Sequence, residues 1–344
     1  MASNPSYNKT SSGIEIAQAY AESIKGKTAL ITGVSVGGIG DAIARAFAHA
    51  GAATIIITGR NDTKMTAVHT ALSTDYPGTK FRSLKLDLNS LALTKQAAQE
   101  ILSDPSIKQI DLLIANAGFG SGKPDREVTA DGIESHFGAN HLAHFLLVTT
   151  LLPKLKAAAK KNPPGATRIV TVSSNANNIS PIRFSDWNYE KHSTAVPDAE
   201  QPSWAIHPVL DLPADPVPFS YLVAYGQSKT ANVLLAVQLN KLLGGEGIAA
   251  FSLHPGVVRS TGQKELINES MGKKLEALMG PPKTLDQGAA TAVVAALDPG
   301  LRGGEAVYLD DCQVSDSAPA WSTDPQIAER LWKLSEDIVK EKLG

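Results

Sequence analysis

The sequence predicts an α/β fold: a doubly wound, mainly parallel sheet of about seven strands with helices on both faces. Three observations carry that prediction. From Lys27 onward, apolar β-rich runs alternate with helical stretches, the rhythm of βαβ units. Most of those runs are continuous in hydrophobicity, as expected of strands covered on both sides. The first run leads directly into a glycine-rich turn, TGVSVGGIG at 32–40, and then a helix; such a turn carries meaning only in that strand-to-helix context.

The elements follow in order. Residues 1–12 are polar and read as a flexible lead-in. Ser12 and Glu15 have capping-box spacing, and Ile14, Ile16, Ala17 and Tyr20 recur at helical intervals, which predicts a short helix before the core. Strands are expected at 28–32, 53–58, 81–86, 110–116, 167–173, 248–254 and 306–309. Helices are expected at 41–50, 91–102, 133–155 and 224–243. The division is an extension at 1–26 and a single domain at 27–344, interrupted by an irregular insertion at about 179–221. That insertion holds Pro181, Pro197, Pro202, Pro208, Pro213, Pro216 and Pro218, too many for another βα unit. It also holds Phe184, Trp187, Tyr189, Trp204, Phe219 and Tyr221. Two readings stand: a flap packed on its own aromatics, or an apolar wall of a substrate pocket.

Composition excludes several classes. A chain of 344 residues with 43% hydrophobic and 19% charged residues buries a core and is not disordered. Its formal charge of -2 supplies no general basic field for nucleic acid. The single cysteine, Cys312, forms no intrachain disulfide, and a cytoplasmic protein is expected. No run reaches the 18 or so consecutive apolar residues of a membrane span.

The glycine turn can bind a pyrophosphate. Gly33, Gly37, Gly38 and Gly40 permit backbone close to a ligand, Ile39 opens the helix, and its amino terminus favours negative charge. This makes the fold Rossmann-type. The same segment, Gly33 to Gly37, also satisfies G-x-S-x-G, so a serine hydrolase using Ser35 is weighed. Against it, the hydrolase fold builds several strands before its elbow. After the second strand stands Thr58-Gly59-Arg60. A guanidinium there, with no carboxylate, points to the 2′-phosphate of NADP rather than the free ribose of NAD, with Ser35 adding a hydroxyl. The bland alternative is a surface charge. Asp87 and Leu88 are placed to flank the adenine, and Asn116, Ala117 and Gly118 close the fourth strand beside the cofactor.

Tyr225 and Lys229, four apart, share one helix face, where an ammonium can stabilise a phenolate. Tyr76 and Lys80 have the same spacing, but Pro77 and Gly78 make that match a turn. The pair Ser173-Ser174 ends the fifth strand, where a hydroxyl can bond a substrate oxygen. His136, His141 and His144 share a helix without a metal-ligand pattern, so no metal site is expected.

In order, TGVSVGGIG, ANAG, VSS, YGQSK and HPG (254–256) resemble the short-chain dehydrogenase/reductase family over roughly residues 25–309. The stretches TADGIESHFGANHLAHFLL and HPGVVRS are similar to its retinol-dehydrogenase-like branch, particularly its fungal members. The resemblance implies a tetrad: Asn140 holding a water and the lysine, Ser174 polarising the substrate oxygen, Tyr225 transferring the proton, and Lys229 lowering the tyrosine pKa and binding the nicotinamide ribose. It also implies Pro255, Gly256 and Val257 near the nicotinamide, with Ser260 or Thr261 near its carboxamide or the phosphates. Two departures matter: the glycine motif is one residue longer than usual, and about 50 residues separate Ser174 from Tyr225. Helices 133–155 and 224–243 carry dimer contacts in many relatives, which implies a homodimer unless the insertion blocks it.

The expected function is therefore an NADP(H)-dependent oxidoreductase of the carbonyl reductase or alcohol dehydrogenase type, acting on a bulky, largely apolar ketone, aldehyde or secondary alcohol. The insertion and residues 262–282 are expected to close over that substrate. A non-redox dinucleotide sensor or rearrangement catalyst is the rival from another class. An epimerase or dehydratase of the longer related family is disfavoured by Arg60.

Overall fold

The computed structural model describes residues 2–213, 217–258, 266, 268–304 and 307–344. Eight strands form one sheet: β1 (Thr28–Ile31), β2 (Thr54–Gly59), β3 (Lys80–Lys85), β4 (Leu112–Ala115), β5 (Thr167–Val172), β6 (Ile248–Leu253), β7 (Tyr308–Asp310) and β8 (Gln313–Val314). Their order is β3-β2-β1-β4-β5-β6-β7-β8. All pairs are parallel except β7 with β8. The eighth strand exceeds the expected seven. It exists because Asp311 and Cys312 both take positive φ, 45° and 67°, which closes a two-residue hairpin.

Among the described residues the helices of seven residues or more are α1 (Gly13–Ala19), α2 (Ile39–His49), α3 (Asp62–Asp75), α4 (Leu91–Ser103), α5 (Ala143–Ala159), α6 (Tyr221–Leu243), α7 (Glu269–Met279), α8 (Leu285–Leu297) and α9 (Pro325–Leu343). Caps fix their starts: Asn61 accepts from the Lys64 N–H, Ser220 from Val223, and Thr284 with Gln287 forms a reciprocal capping box. Successive strand residues divide between two cores, as the two-residue side-chain period requires. Ala29, Ile31, Ile55 and Ile57 face the core shared with α1, α2 and α8, while Leu30, Ile56 and Leu113 face that shared with α4, α5 and α6. This is why the runs read as continuously apolar. By length and composition the run 135–159 would cross a bilayer; here it packs into the second core and its neighbour.

Two local expectations are corrected, and a third is resolved in part each way. Residues 2–12 are not a loose lead-in: the Ser3 N–H donates to Asp298 Oδ2 at 2.7 Å, and Gln313 Nε2 donates to the carbonyls of Asn4 and Tyr7. The single helix expected at 133–155 is interrupted. One α turn at Ser135–Phe137 leads into a π turn at Gly138–Leu142 before α5 begins. Gly138 lies so near Thr129 that an added Cβ would come within 2.6 Å of its Cγ2. The insertion's aromatics, third, pack partly on one another and partly on the body. Trp187 packs on Phe137, and Tyr189 packs on Phe219 with the buried Arg183 guanidinium stacked 3.9 Å from its ring centre. Gln227 of α6 anchors the segment through the Arg183 N–H and the Trp187 carbonyl.

Candidate active site

The strand order reverses between β1 and β4, opening a crevice at their carboxyl ends. A cavity of about 890 Å³ lies there. At one end it is lined by Gly33, Val34, Ser35, Gly38 and Ile39. Gly33 has φ +70°, and a Cβ on it would lie 2.6 Å from the Ala117 Cα, so only glycine leaves the turn open. Gly38, in extended conformation, is the N-cap of α2 and aims that helix's amino terminus at the cavity. It takes the middle role in the longer motif. Gly37 and Gly40 are placed differently from the expected cofactor contacts. Neither lines the cavity; Gly37 uses φ +75° to make the turn, and Gly40 packs against Asn116 and the Gly33 carbonyl.

Arg60, exposed at the tip of β2, lines the rim together with Asn61 and Lys64. Lys64 was not singled out from sequence, although its position one turn into α3, on the Asn61 cap, is a readable signal. Asp87, Leu88, Asn116, Ala117 and Gly118 line the middle, and Pro255, Gly256 and Val257 the floor. Ser260 and Thr261 lie outside the described residues. The residues present fit a dinucleotide: a glycine cradle closed to any Cβ, a helix amino terminus above it and cations at the rim.

Ser174, Tyr225 and Lys229 meet on the far wall. Burial pushes the Tyr225 phenol up to about 12, with the Ser174 hydroxyl beside it pulling the other way. The Lys229 Nζ lies 5.5 Å from the Tyr225 ring centre and donates to the Val172 carbonyl at 3.0 Å. Desolvation pulls this ammonium down to about 8. Ser173 spends its hydroxyl on the Lys229 carbonyl at 2.7 Å, whereas Ser174 is left partly exposed to the cleft. Asn140 stands one layer back and is fully buried. Its Oδ1 accepts from the Phe119 N–H at 2.6 Å, and its Nδ2 donates to the Phe119 carbonyl and to Ser228 Oγ, both at 3.0 Å. Its carbonyl accepts from His144 Nδ1, a ring that burial keeps neutral by lowering its pKa to about 4.

The hydrolase reading of Ser35 lacks a base among the described residues of the cleft. The histidine on the cleft wall, His254, follows β6 and uses Nδ1 to accept the Asn175 N–H at 3.2 Å. Beyond Tyr225 the cavity turns apolar. Ile206, Leu210 and Leu222 come from the insertion and α6, and Leu266, Met271 and Met279 from the segment before α8. Segments expected to close over a substrate thus do line the cleft, through aliphatic rather than aromatic side chains, except Tyr221. Leu266 and Met271 lie in the stretch 262–282 expected at the substrate, although neither was singled out by residue.

The family model for short chain dehydrogenase matches residues 27–192. Among curated proteins, "Oxidoreductase fscI" of Fusarium equiseti is 37% identical over 73% of this chain and 94% of its own length. Retinol dehydrogenase 12 of Homo sapiens is 34% identical over 92% of this chain and 87% of its own. A solved structure of an uncharacterized protein from Mycobacterium paratuberculosis superposes with a TM-score of 0.63 at 26% identity, covering 93% and 97% of the two chains. The NADPH-bound carbonyl reductase from chicken fatty liver gives 0.58 at 21% identity, covering 85% and 94%, and shares the fold. With the glycine cradle at the β1–β4 crevice and Ser174, Tyr225 and Lys229 on one wall, the chain belongs to the short-chain dehydrogenase family of oxidoreductases.

Proposed function

We propose that the protein is an NADP(H)-dependent carbonyl reductase or alcohol dehydrogenase for a bulky, largely apolar substrate, with Tyr225 as general acid and base. The observation that carries this reading is the meeting of Ser174, Tyr225 and Lys229 where the cofactor crevice joins an aliphatic pocket. Bound at the cradle, the dinucleotide supplies or accepts the hydride. The chain does the rest. Tyr225, like any phenol, is protonated at neutral pH and can give that proton to the oxygen of a carbonyl substrate; burial, which raises its pKa, opposes the release, and the Lys229 ammonium near its ring favours it. Ser174 donates a hydrogen bond to the same oxygen, stabilising charge as it develops. The Lys229 ammonium stabilises the phenolate left behind, and Asn140, locked to Phe119 and Ser228, holds the α6 face against the turn after β4. Leu210, Leu222 and Met271 exclude water, which strengthens each of these interactions. Arg60, Lys64 and Ser35 at the rim support NADP over NAD.

The test is NADPH consumption against a panel of bulky ketones by wild-type protein and Tyr225→Phe. We expect turnover with wild type and a loss of at least about a thousandfold in kcat with the variant, NADPH binding being retained. NADPH binding without turnover of any ketone would favour the non-redox alternative.

A further inference from the structure

Tyr221 stands one helical turn before Tyr225 on α6. At 1.5 Å per residue, the two positions share a helix face with their Cα atoms about 6 Å apart along the axis. Both line the cavity, within an apolar cluster that includes Leu210, Leu222 and Leu266. On this face of α6 the two tyrosines bring oxygen into the apolar cluster, while Asn175, Asn178 and Ser203 line the same cavity from the insertion side. The circumstances of the two tyrosines differ. The Tyr225 hydroxyl has Ser174 beside it. The Tyr221 hydroxyl donates to the thioether of Met271, 3.5 Å away on α7, and Tyr221 is only 9% exposed.

A thioether is a weak acceptor, and a phenol that has surrendered water for it recovers little of its desolvation cost. Such a hydroxyl exchanges readily for a better partner. Met271, unbranched and adaptable, can yield its place without disturbing α7. A ligand oxygen reaching this point would therefore gain a hydrogen bond at the loss of a poor one. A ligand without that oxygen would leave Tyr221 as it is and gain nothing.

We infer that Tyr221 is a specificity-determining residue that binds a second oxygen of the substrate, about one helical turn from the oxygen that Tyr225 serves. The substrate class is then an apolar compound with two oxygen functions on a rigid skeleton, for which a flexible chain is a poor substitute. Rigidity follows from the site itself: both hydroxyls are fixed on one helix, and a skeleton that already holds its oxygens at that spacing loses least freedom on binding. The inference rests on the proposed role of Tyr225.

The experiment compares kcat/KM for trans-1-decalone with that for the trans-decalin diones bearing the second carbonyl on the other ring, with NADPH in excess. Wild-type protein is expected to prefer the best dione by about tenfold, the worth of one hydrogen bond. In Tyr221→Phe that ratio falls to near unity, chiefly through KM. Met271→Leu removes the competing acceptor while leaving the hydroxyl, and the ratio stays or rises. NADPH titration of both variants reports that the cofactor end is intact. A ratio unchanged in Tyr221→Phe overturns the inference while leaving the catalytic reading in place. Wild-type protein that binds NADPH and reduces none of these ketones, so that it matches Tyr225→Phe, overturns the catalytic reading and this inference with it.

Discussion

Replacing Arg60 with alanine isolates the cofactor assignment without any knowledge of the substrate. Arg60 lies at the cavity rim with Lys64 one turn into α3, and both are exposed. A unit charge about 4 Å from a phosphate oxygen is worth about 1 kcal/mol in bulk water and about 4 kcal/mol at the effective dielectric of a protein surface. Exposure puts this site in the lower half of that range. About 2 kcal/mol corresponds to about a thirtyfold weaker Kd for NADPH. NADH, with a free ribose hydroxyl, should change by no more than about twofold, so nucleotide selectivity collapses rather than affinity in general. Adding Lys64→Ala should weaken NADPH further but by less than the single change suggests, because the two cations share one anion. The assay is a fluorescence titration with both nucleotides at low and high salt. Screening predicts that the wild-type preference shrinks as salt rises and that the Arg60→Ala protein responds less. Equal losses of NADPH and NADH, or no loss of either, would refute the argument.

Three further outcomes follow from buried charge and packing. Lys229, held down to about 8 by desolvation, keeps an ammonium at neutral pH in a site that disfavours it. Lys229→Met should raise stability by about 1–2 kcal/mol at pH 7, the cost of the shift less the lost bond to the Val172 carbonyl, and abolish turnover. That gain fades as pH rises from about 8 through the free lysine range, which urea unfolding at several pH values would show; a destabilised variant at pH 7 would count against it. His141, His144 and His254 are lowered by burial to about 3, 4 and 3. The unfolded chain therefore binds more protons below about pH 6.5, and stability present above that pH is lost as it falls toward 4, by up to about 1.4 kcal/mol per unit per histidine. His144→Gln should flatten the slope by about one histidine's share, and an unchanged slope would show that this ring is not buried neutral. The third concerns assembly: α9 lies across α6 and α5, with Trp332 edge-on to Phe145 at 4.8 Å and Ser335 bonded to His141 at 2.8 Å. Light scattering should give the 36.2 kDa monomer, and truncation before Pro325 should expose Phe145 and produce self-association; a dimer with α9 in place would contradict this.

The parts of this molecule that were legible in its sequence are those whose physics is local. Strands covered on both faces must be apolar throughout, so Thr28–Ile31 and Thr167–Val172 announced themselves. Tyr225 and Lys229 share a face whatever surrounds their helix, and a glycine turn between strand and helix means the same thing in any sheet. What escaped was decided by distant partners. The π turn at 138–142 opens where Gly138 packs against Thr129, and Asn140 is fixed by Phe119 and Ser228. No periodicity within 133–155 reports either. The two-residue turn that makes β8 rests on positive φ at an aspartate and a cysteine, types that do not advertise it. The insertion's composition revealed its aromatic content but not how its rings divide between one another and the body, leaving aliphatic residues to the pocket. This division has a chemical consequence. Groups that move a proton must be held rigidly by one element or by adjoining strand ends, which keeps them in recognisable runs. A substrate wall has no such requirement, and here it is assembled from Leu210, Leu222, Leu266 and Met271, contributed by an insertion, the turn opening α6 and a segment 40 or so residues further on. Reaction class can therefore be read from motifs, while substrate class requires the folded cavity.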